Sequence, residues 1–313
     1  MERTLKVYAP AEYPQFSCIA DACRHNCCIG WEIDVDAEAL EHYRRVPGAL
    51  GQRLREQIAL EPEPHFCLGD EERCPFLNEK NLCDLIAYGG EKMLCQICAD
   101  HPRFRNEWSD RVEIGLGMCC EAAGALILNQ PEGMELILLE ETEEPEEPLT
   151  AEEQSLLHLR QQMFRALGEP EKTLSQRFSE IEQLVGAELF VSPMTWAKQL
   201  LPLERLDETW TALLTRQMER DTDWTAPLQI PDRCFARIVA YFLYRHLPEG
   251  LYEGNLPERT AFALNSTRFL RALCVTTGAE TLPELVELCR LYSSEIEYSD
   301  ENLDALLLFL ETL

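Results

Sequence analysis

The cysteines constrain this chain more than any other feature. Fourteen occur in 313 residues, and eleven stand at or before Cys120: Cys18, Cys23, Cys27, Cys28, Cys67, Cys74, Cys83, Cys95, Cys98, Cys119 and Cys120. The other three, Cys234, Cys274 and Cys289, sit in apolar helical surroundings and read as buried free thiols. Such a crowd admits a disulfide framework, a thiolate metal site or a set of buried thiols. Residues 1–16 lack the apolar stretch and small-residue cleavage site of a signal peptide, and no run of about 18 apolar residues suggests a membrane span. The expected compartment is therefore the cytoplasm. Structural disulfides seldom persist there, and clustered cysteines bind metal or do redox chemistry.

The spacing narrows the chemistry. Cys18, Cys23, Cys27 and Cys28 form one group, ahead of Gly30 and Trp31; Cys74, Cys83, Cys95 and Cys98 form a second; Cys119 and Cys120 a third. Short loops between thiolates let several soft ligands converge on zinc or an iron–sulfur cluster. The CxxxCxxC signature of radical-SAM enzymes fails, because Gly30 stands where its third cysteine belongs. Dinucleotide-binding, P-loop and H-E-x-x-H motifs are absent. His101, three residues after Cys98, reads as a surface histidine rather than a ligand.

With 28 Lys+Arg against 56 Asp+Glu, the formal charge is −28. That argues against nucleic acid and anionic membrane as partners, and suits a lysine-bearing one. Part of the acidity is one stretch, Glu140 to Pro148, whose like charges and prolines resist helix formation and read as an exposed linker. The expected division is a cysteine-rich domain at 1–139, a linker at 140–149 and a helical domain at 150–313. After Pro148 a capping box at Thr150–Glu153 opens a helix that stops at Gly168 and Pro170. Helical segments follow at 173–187, 193–219, 232–247, 257–276, 282–296 and 300–312. In the first half, 36–60 reads as helix broken at Pro47-Gly48, another helix follows Cys120, and 5–8, 32–35 and 112–116 read as short strands. The fold class expected is mainly α: a metal-binding, cysteine-rich N-terminal domain with little regular structure, then an all-α C-terminal bundle.

These motifs resemble two families. The cysteine series is similar to zinc- or iron-chelating proteins named for a CxxCxxCC cluster. It resembles the flagellin lysine-N-methylases more closely. Phe16, Cys18, Cys27, Cys28, Gly30 and Trp31 fit the first motif, and Cys74, Phe76, Leu77, Asn81, Leu82 and Cys83 the second. Cys98, Pro102 and Arg103 fit the third, and Cys119, Glu121, Ala122 and Ala123 the last. Met118 and Cys120 depart from that last motif, so Cys120 is not expected to be a ligand. The resemblance implies S-adenosyl-L-methionine (SAM)-dependent methylation of flagellin lysines, and an iron–sulfur cluster, 4Fe-4S, with zinc as the alternative metal. The alternative function is a non-enzymatic zinc- or iron-binding module. The expected metal set is Cys18, Cys23, Cys27, Cys28, Cys74, Cys83, Cys98 and Cys119, with Cys95 next and Cys67 after it. Eight sulfurs exceed one tetrahedral centre.

A lysine must lose its proton before it attacks a methyl sulfonium. Glu32, Asp34, Asp36, Asp100 and Glu121 are acids near the motifs, but surface roles suit each better, and no catalytic residue is assigned. Arg103 and Trp31 are the candidate cofactor contacts, through a carboxylate of SAM and its sulfonium respectively. Trp31, Tyr43 and Tyr88 could line a cationic pocket for the sulfonium or lysine, though core packing explains all three better.

Overall fold

A computed structural model describes residues 6–141, 147–187, 190–220 and 222–313. Residues 142–146, the middle of the expected linker, lie outside the described residues. In chain order the elements are β1 (Lys6–Pro10), α1 (Ala37–Arg45), α2 (Gly48–Glu56), β2 (Ile58–Ala59), β3 (His65–Phe66), α3 (Asp84–Gly89), α4 (Gln96–Asp100), β4 (Arg103–Glu107), β5 (Arg111–Leu116), α5 (Glu121–Leu128) and β6 (Leu136–Glu140). Then come α6 (Ala151–Leu167), α7 (Leu174–Val185), α8 (Pro193–Leu200), α9 (Glu208–Met218), α10 (Asp232–His246), α11 (Gly250–Glu253), α12 (Leu256–Thr277), α13 (Leu282–Tyr292) and α14 (Asp300–Glu311). The chain is mainly helical.

It divides into two compact units. One is Ser17–Arg103; the other joins the chain up to Phe16 with Phe104–Leu313, so the first unit is inserted into the sequence of the second. This division differs from one at 140–149. The reason is a four-stranded sheet, ordered β4-β5-β1-β6. β1 pairs in parallel with β5 (Tyr8 opposite Glu113) and antiparallel with β6 (Tyr8 opposite Leu138). Trp108, Leu116, Ala123 and Ile127 share a core with Leu156, Phe164 and Phe242, which ties the segment from 104 to 139 to the helices that follow. Strands β4 and β6 carry no clear period-2 pattern in the sequence, so neither was expected.

In the inserted unit, the break at Pro47-Gly48 separates α1 from α2, and Gly48 takes φ +72°, a value that L side chains rarely adopt. The second helix stops at Glu56 instead of running to 60. Ile58 and Ala59 pair with Phe66 and His65 across a turn containing Pro62 and Pro64. The strand expected at 32–35 is reduced to one bridge, Asp34 opposite His65. Tyr43, Phe66 and Phe76 form the centre of a separate core, with Phe66 and Phe76 rings 4.9 Å apart. The Tyr43 hydroxyl donates to the Met93 carbonyl at 2.8 Å, so this ring is core rather than pocket lining. Tyr88 is exposed.

In the larger unit, α12 is buried along most of its length and packs against α7, α8, α9, α10, α13 and α14. A helix buried on all sides must partner its polar groups internally. Arg268 reaches Glu182 at 2.7 Å, and Arg259 reaches Glu249 at 2.8 Å and Glu253 at 2.7 Å. The segment expected as one helix over 193–219 is two: α8 ends at Leu200, and Pro202 lacks the N–H that continuation requires. Gly115 on β5 lets the Phe104 ring lie against the strand, since a Cβ there would meet the ring at 2.2 Å. Phe104 thereby stacks edge-on with Tyr241 and Tyr244 of α10.

Candidate functional site

Six thiols gather in the inserted unit: Cys27, Cys28, Cys74, Cys83, Cys95 and Cys98. Local backbone geometry places each one. Ile29 bridges Arg73 in antiparallel fashion, which sets Cys28 and Cys74 opposite each other, and the Cys74 N–H donates to the Cys28 carbonyl at 2.8 Å. Leu77 bridges Cys83, closing a small knuckle over 76–84. Cys83 and Cys95 precede the first residues of α3 and α4, and Cys98 is the third residue of α4.

Each sulfur's environment follows from this. Cys98 and Cys95 interact through their side chains, as do Cys28 and Cys27. Cys27 is thereby lowered to about 7 and Cys95 is lowered, while Cys28 and Cys98 are raised. Burial pushes Cys74 up to about 11, opposed by the backbone N–H groups of Phe76 and Leu77. Burial also raises Cys83, against the N–H groups of Ile86 and Leu85. Backbone N–H groups aimed at sulfur stabilise thiolates and tune metal-bound ones.

Among the described residues, no group of three or more His, Cys, Asp or Glu is arranged to hold a metal ion. The thiols stand as the pairs Cys27–Cys28 and Cys95–Cys98 with Cys74 and Cys83 beside them, rather than as a closed coordination sphere. The donor set itself, soft sulfurs cradled by amides, suits zinc or iron.

The remaining cysteines divide differently. Exposed Cys18 accepts from the Ala20 N–H at 3.4 Å, and half-buried Cys23 donates to the His25 carbonyl at 3.4 Å. Half-buried Cys67 follows β3, its N–H donating to the Gln57 carbonyl at 2.8 Å. Cys119 belongs to the larger unit, where its neighbours are Tyr298, Arg245, Cys120 and Glu297, and burial pushes it up to about 12. Thus five of the eight expected sulfurs come together, and Cys95 joins them. The Cys95-x-x-Cys98 spacing was the available signal for Cys95. Cys234, Cys274 and Cys289 are buried, as their surroundings predict.

The acids near the motifs have structural duties. Burial raises the Asp36 carboxyl, but N–H groups of Ala39 and Gln96 outweigh it and hold it below the ordinary carboxylate value. It accepts from them at 2.9 and 2.7 Å, joining the start of α1 to the turn after Cys95. Asp100 accepts from Gln96, while Glu32 and Asp34 are exposed. Glu121 is half-buried in the first turn of α5. Arg103 donates to the Ala99 carbonyl at 3.1 Å, and Trp31 is half-buried. Burial, then the Arg103 charge, lowers His101 to about 4, leaving it neutral at physiological pH.

The larger unit contains a polar centre that the sequence did not announce. After α13 the backbone makes a π-turn over Ser293–Glu297, a feature frequent at functional positions. It carries Glu297 into the core, where Tyr241 donates at 2.9 Å and His246 lies at 2.7 Å. Arg245 is 3.6 Å away and also donates to the Tyr241 hydroxyl at 2.9 Å. Burial opposes the Glu297 charge, but Arg245 and His246 hold its carboxyl below the ordinary value.

No family model and no solved structure matches this chain. Curated proteins do. A lysine-N-methylase of Salmonella choleraesuis (strain SC-B67) is 29% identical over 141 residues, covering 43% of this chain and 35% of the relative. One of Salmonella typhimurium (strain LT2) is 28% identical over the same shares. The flagellar biosynthetic protein FliU of Salmonella muenchen is 28% identical over 141 residues, 83% of its length. This chain thus spans little more than a third of the two lysine-N-methylases. Over that stretch the chain is similar to lysine-N-methylases and to a flagellar biosynthetic protein.

Proposed function

We propose that the chain is a SAM-dependent protein-lysine N-methyltransferase acting on surface lysines of flagellin. The reading rests on the relatives' names, lysine-N-methylase and flagellar biosynthetic protein, together with the six-thiol cluster. We further propose that these thiols hold an iron–sulfur cluster, 4Fe-4S, with zinc as the alternative. Cys27, Cys28, Cys74, Cys83, Cys95 and Cys98 would supply the ligands. SAM would supply the methyl group as an electrophilic sulfonium.

The chain's own part is to bind a lysine and strip its proton. A charge of −28 concentrates cationic side chains near the surface. Trp31, three residues after Cys28, and Arg103, five after Cys98, remain the proposed contacts for the sulfonium and carboxylate of SAM. Asp36 is committed to backbone N–H groups and is a poor base; no catalytic base is assigned.

Incubation with SAM and flagellin should add methylene increments to flagellin lysines, read by mass spectrometry. Anaerobically purified protein should be brown, absorbing near about 400 nm. A colourless, zinc-loaded protein that modifies no lysine would favour the second reading, a non-enzymatic zinc- or iron-binding module.

A further inference from the structure

We propose that the outer edge of β6 docks an extended basic segment of a partner protein, which joins the four-stranded sheet as a fifth strand. The inference goes beyond the methyltransferase reading and needs neither SAM nor metal. The order β4-β5-β1-β6 leaves β6 at one end of the sheet, and among the described residues no further strand pairs with it.

Register decides which β6 groups face outward. The Ala11 N–H donates to the Glu135 carbonyl at 3.0 Å, one step beyond the Pro10–Leu136 pair. Opposed residues in an antiparallel ladder alternate between pairs that exchange hydrogen bonds and pairs that do not. Ala9–Ile137 is therefore a bonded pair, whereas Pro10–Leu136 and Tyr8–Leu138 are not; the register shifts only between Tyr8 and Val7. Pro10 stands where this ladder uses no N–H. The N–H groups of Leu136 and Leu138 and the Leu136 carbonyl thus point away from β1, as a template for strand addition. Leu138 is 42% exposed beside them. The opposite edge, β4, carries exposed Arg105 and Glu107, charges of the kind that blunt an edge.

Charge selects the occupant. Exposed Glu135 precedes the strand, exposed Glu140 ends it and exposed Glu141 follows it. Four further glutamates come by residue 147. Lys6, 3.8 Å from Glu141, answers one of these charges. A second copy pairing antiparallel about Leu138 would set Glu135 against Glu141, and like charges directly opposite are destabilising. A strand with lysine or arginine at its ends meets opposite charge at both.

The probe is a fluorescent peptide of about nine residues, valine and threonine alternating between arginine ends, which lysine methylation cannot touch. With the full chain and no SAM, anisotropy should show saturable binding that weakens as salt rises. Hydrogen exchange should slow at Leu136 and Leu138 and stay unchanged at Ile137. The same peptide N-methylated along its backbone, or ended by glutamates, should bind about tenfold more weakly. Leu138→Pro removes one outward N–H at an edge, where proline is tolerated, so it should weaken binding with thermal unfolding little changed. Glu135→Lys with Glu140→Lys should weaken it with every backbone amide intact. Four outcomes overturn the proposal: no binding, equal binding of the N-methylated or glutamate-ended peptide, protection that omits Leu136 and Leu138, or a chain that pairs with its own copy through β6 instead. Methyl transfer to flagellin is assayed separately. A chain that captures the peptide and methylates nothing refutes only the methyltransferase reading, and one that methylates without capturing it refutes only this one.

Discussion

In Ser17–Arg103 the clustered polar atoms are sulfurs, from exposed Cys27 to buried Cys74 and Cys95, held on a bridge, a knuckle and two short-helix starts. In the larger unit they are guanidinium–carboxylate pairs set between long helices and a sheet. Arg160 of α6, for example, grips Glu113 of β5 through two bonds of 2.7 and 2.6 Å, with both side chains almost fully buried. The Arg160 guanidinium also lies 5.3 Å from the Tyr244 ring centre. The contrast concerns what each unit needs from outside. An ion pair carries its own counter-charge. A thiol cluster is complete only when protonated or when a cation replaces its protons.

Metal removal should therefore separate the units most strongly. If metal is bound, chelation should collapse hydrogen-exchange protection in Ser17–Arg103 while leaving α10 and α12 protected. Structural zinc contributes apparent free energies on the order of 10 kcal/mol in small metal-dependent domains. The effect here should be smaller, because Tyr43, Phe66 and Phe76 give this unit a core of its own. Equal loss of protection in both units would break the comparison.

The reverse lesion is next in size. Arg160→Ala leaves Glu113 charged and buried without a partner, and should cost about 3–5 kcal/mol in the larger unit. Replacing both together, Arg160→Met with Glu113→Leu, should recover most of that loss, since apolar pairs of similar volume are often neutral or stabilising. Denaturant unfolding followed by exchange in each unit reads both variants. A double variant as damaged as the single would mean that the pair does more than neutralise itself.

Acid should weaken the small unit through His101. Burial lowers it from the ordinary 6.5 to about 4, so on acidification the unfolded chain takes up a proton that the folded chain refuses. The penalty is absent above pH 6.5, grows as pH falls towards about 4, and then levels off. At about 1.36 kcal/mol per unit, discounted for partial exposure, it should reach about 2 kcal/mol. His101→Gln should flatten exchange-detected stability of Ser17–Arg103 between those limits. An unchanged slope would remove His101 as its source.

What the sequence made legible follows the same division. Thr150, Gly168, Pro170 and Pro193 mark helix ends through local hydrogen bonding and fixed φ, so the helices after 150 could be placed. Strand β6 could not, because Leu136–Glu140 is continuously apolar up to its last residue and draws its pairing from β1, over a hundred residues away. The thiol cluster was half legible. Spacing put Cys74, Cys83, Cys95 and Cys98 together, but only folding separates Cys119, whose neighbours include Arg245 of α10 and Tyr298 after the π-turn. Glu297 was hidden for a related reason. A carboxylate becomes a buried counter-ion only once Arg245 and His246 surround it, and no pattern of period 3.6 encodes that.

The smallest expected effect compares two helix caps. Thr150 caps α6 by accepting from the Glu153 N–H at 3.1 Å, and Glu153 returns the bond to the Thr150 N–H at 2.7 Å. Asp36 caps α1 and also accepts from the Gln96 N–H, the residue after Cys95. Each change to Ala should cost about 1 kcal/mol for the cap alone. Only Asp36→Ala should also loosen the turn that presents the thiols. Cys98 should then alkylate a few-fold faster in reduced, metal-free protein, while Thr150→Ala leaves its rate unchanged. Asp36→Asn keeps an acceptor oxygen for only one of the two amides and should restore part of the slower rate. If both alanine variants accelerate Cys98 equally, the effect is global opening and Asp36 has no special hold on the sulfur turn.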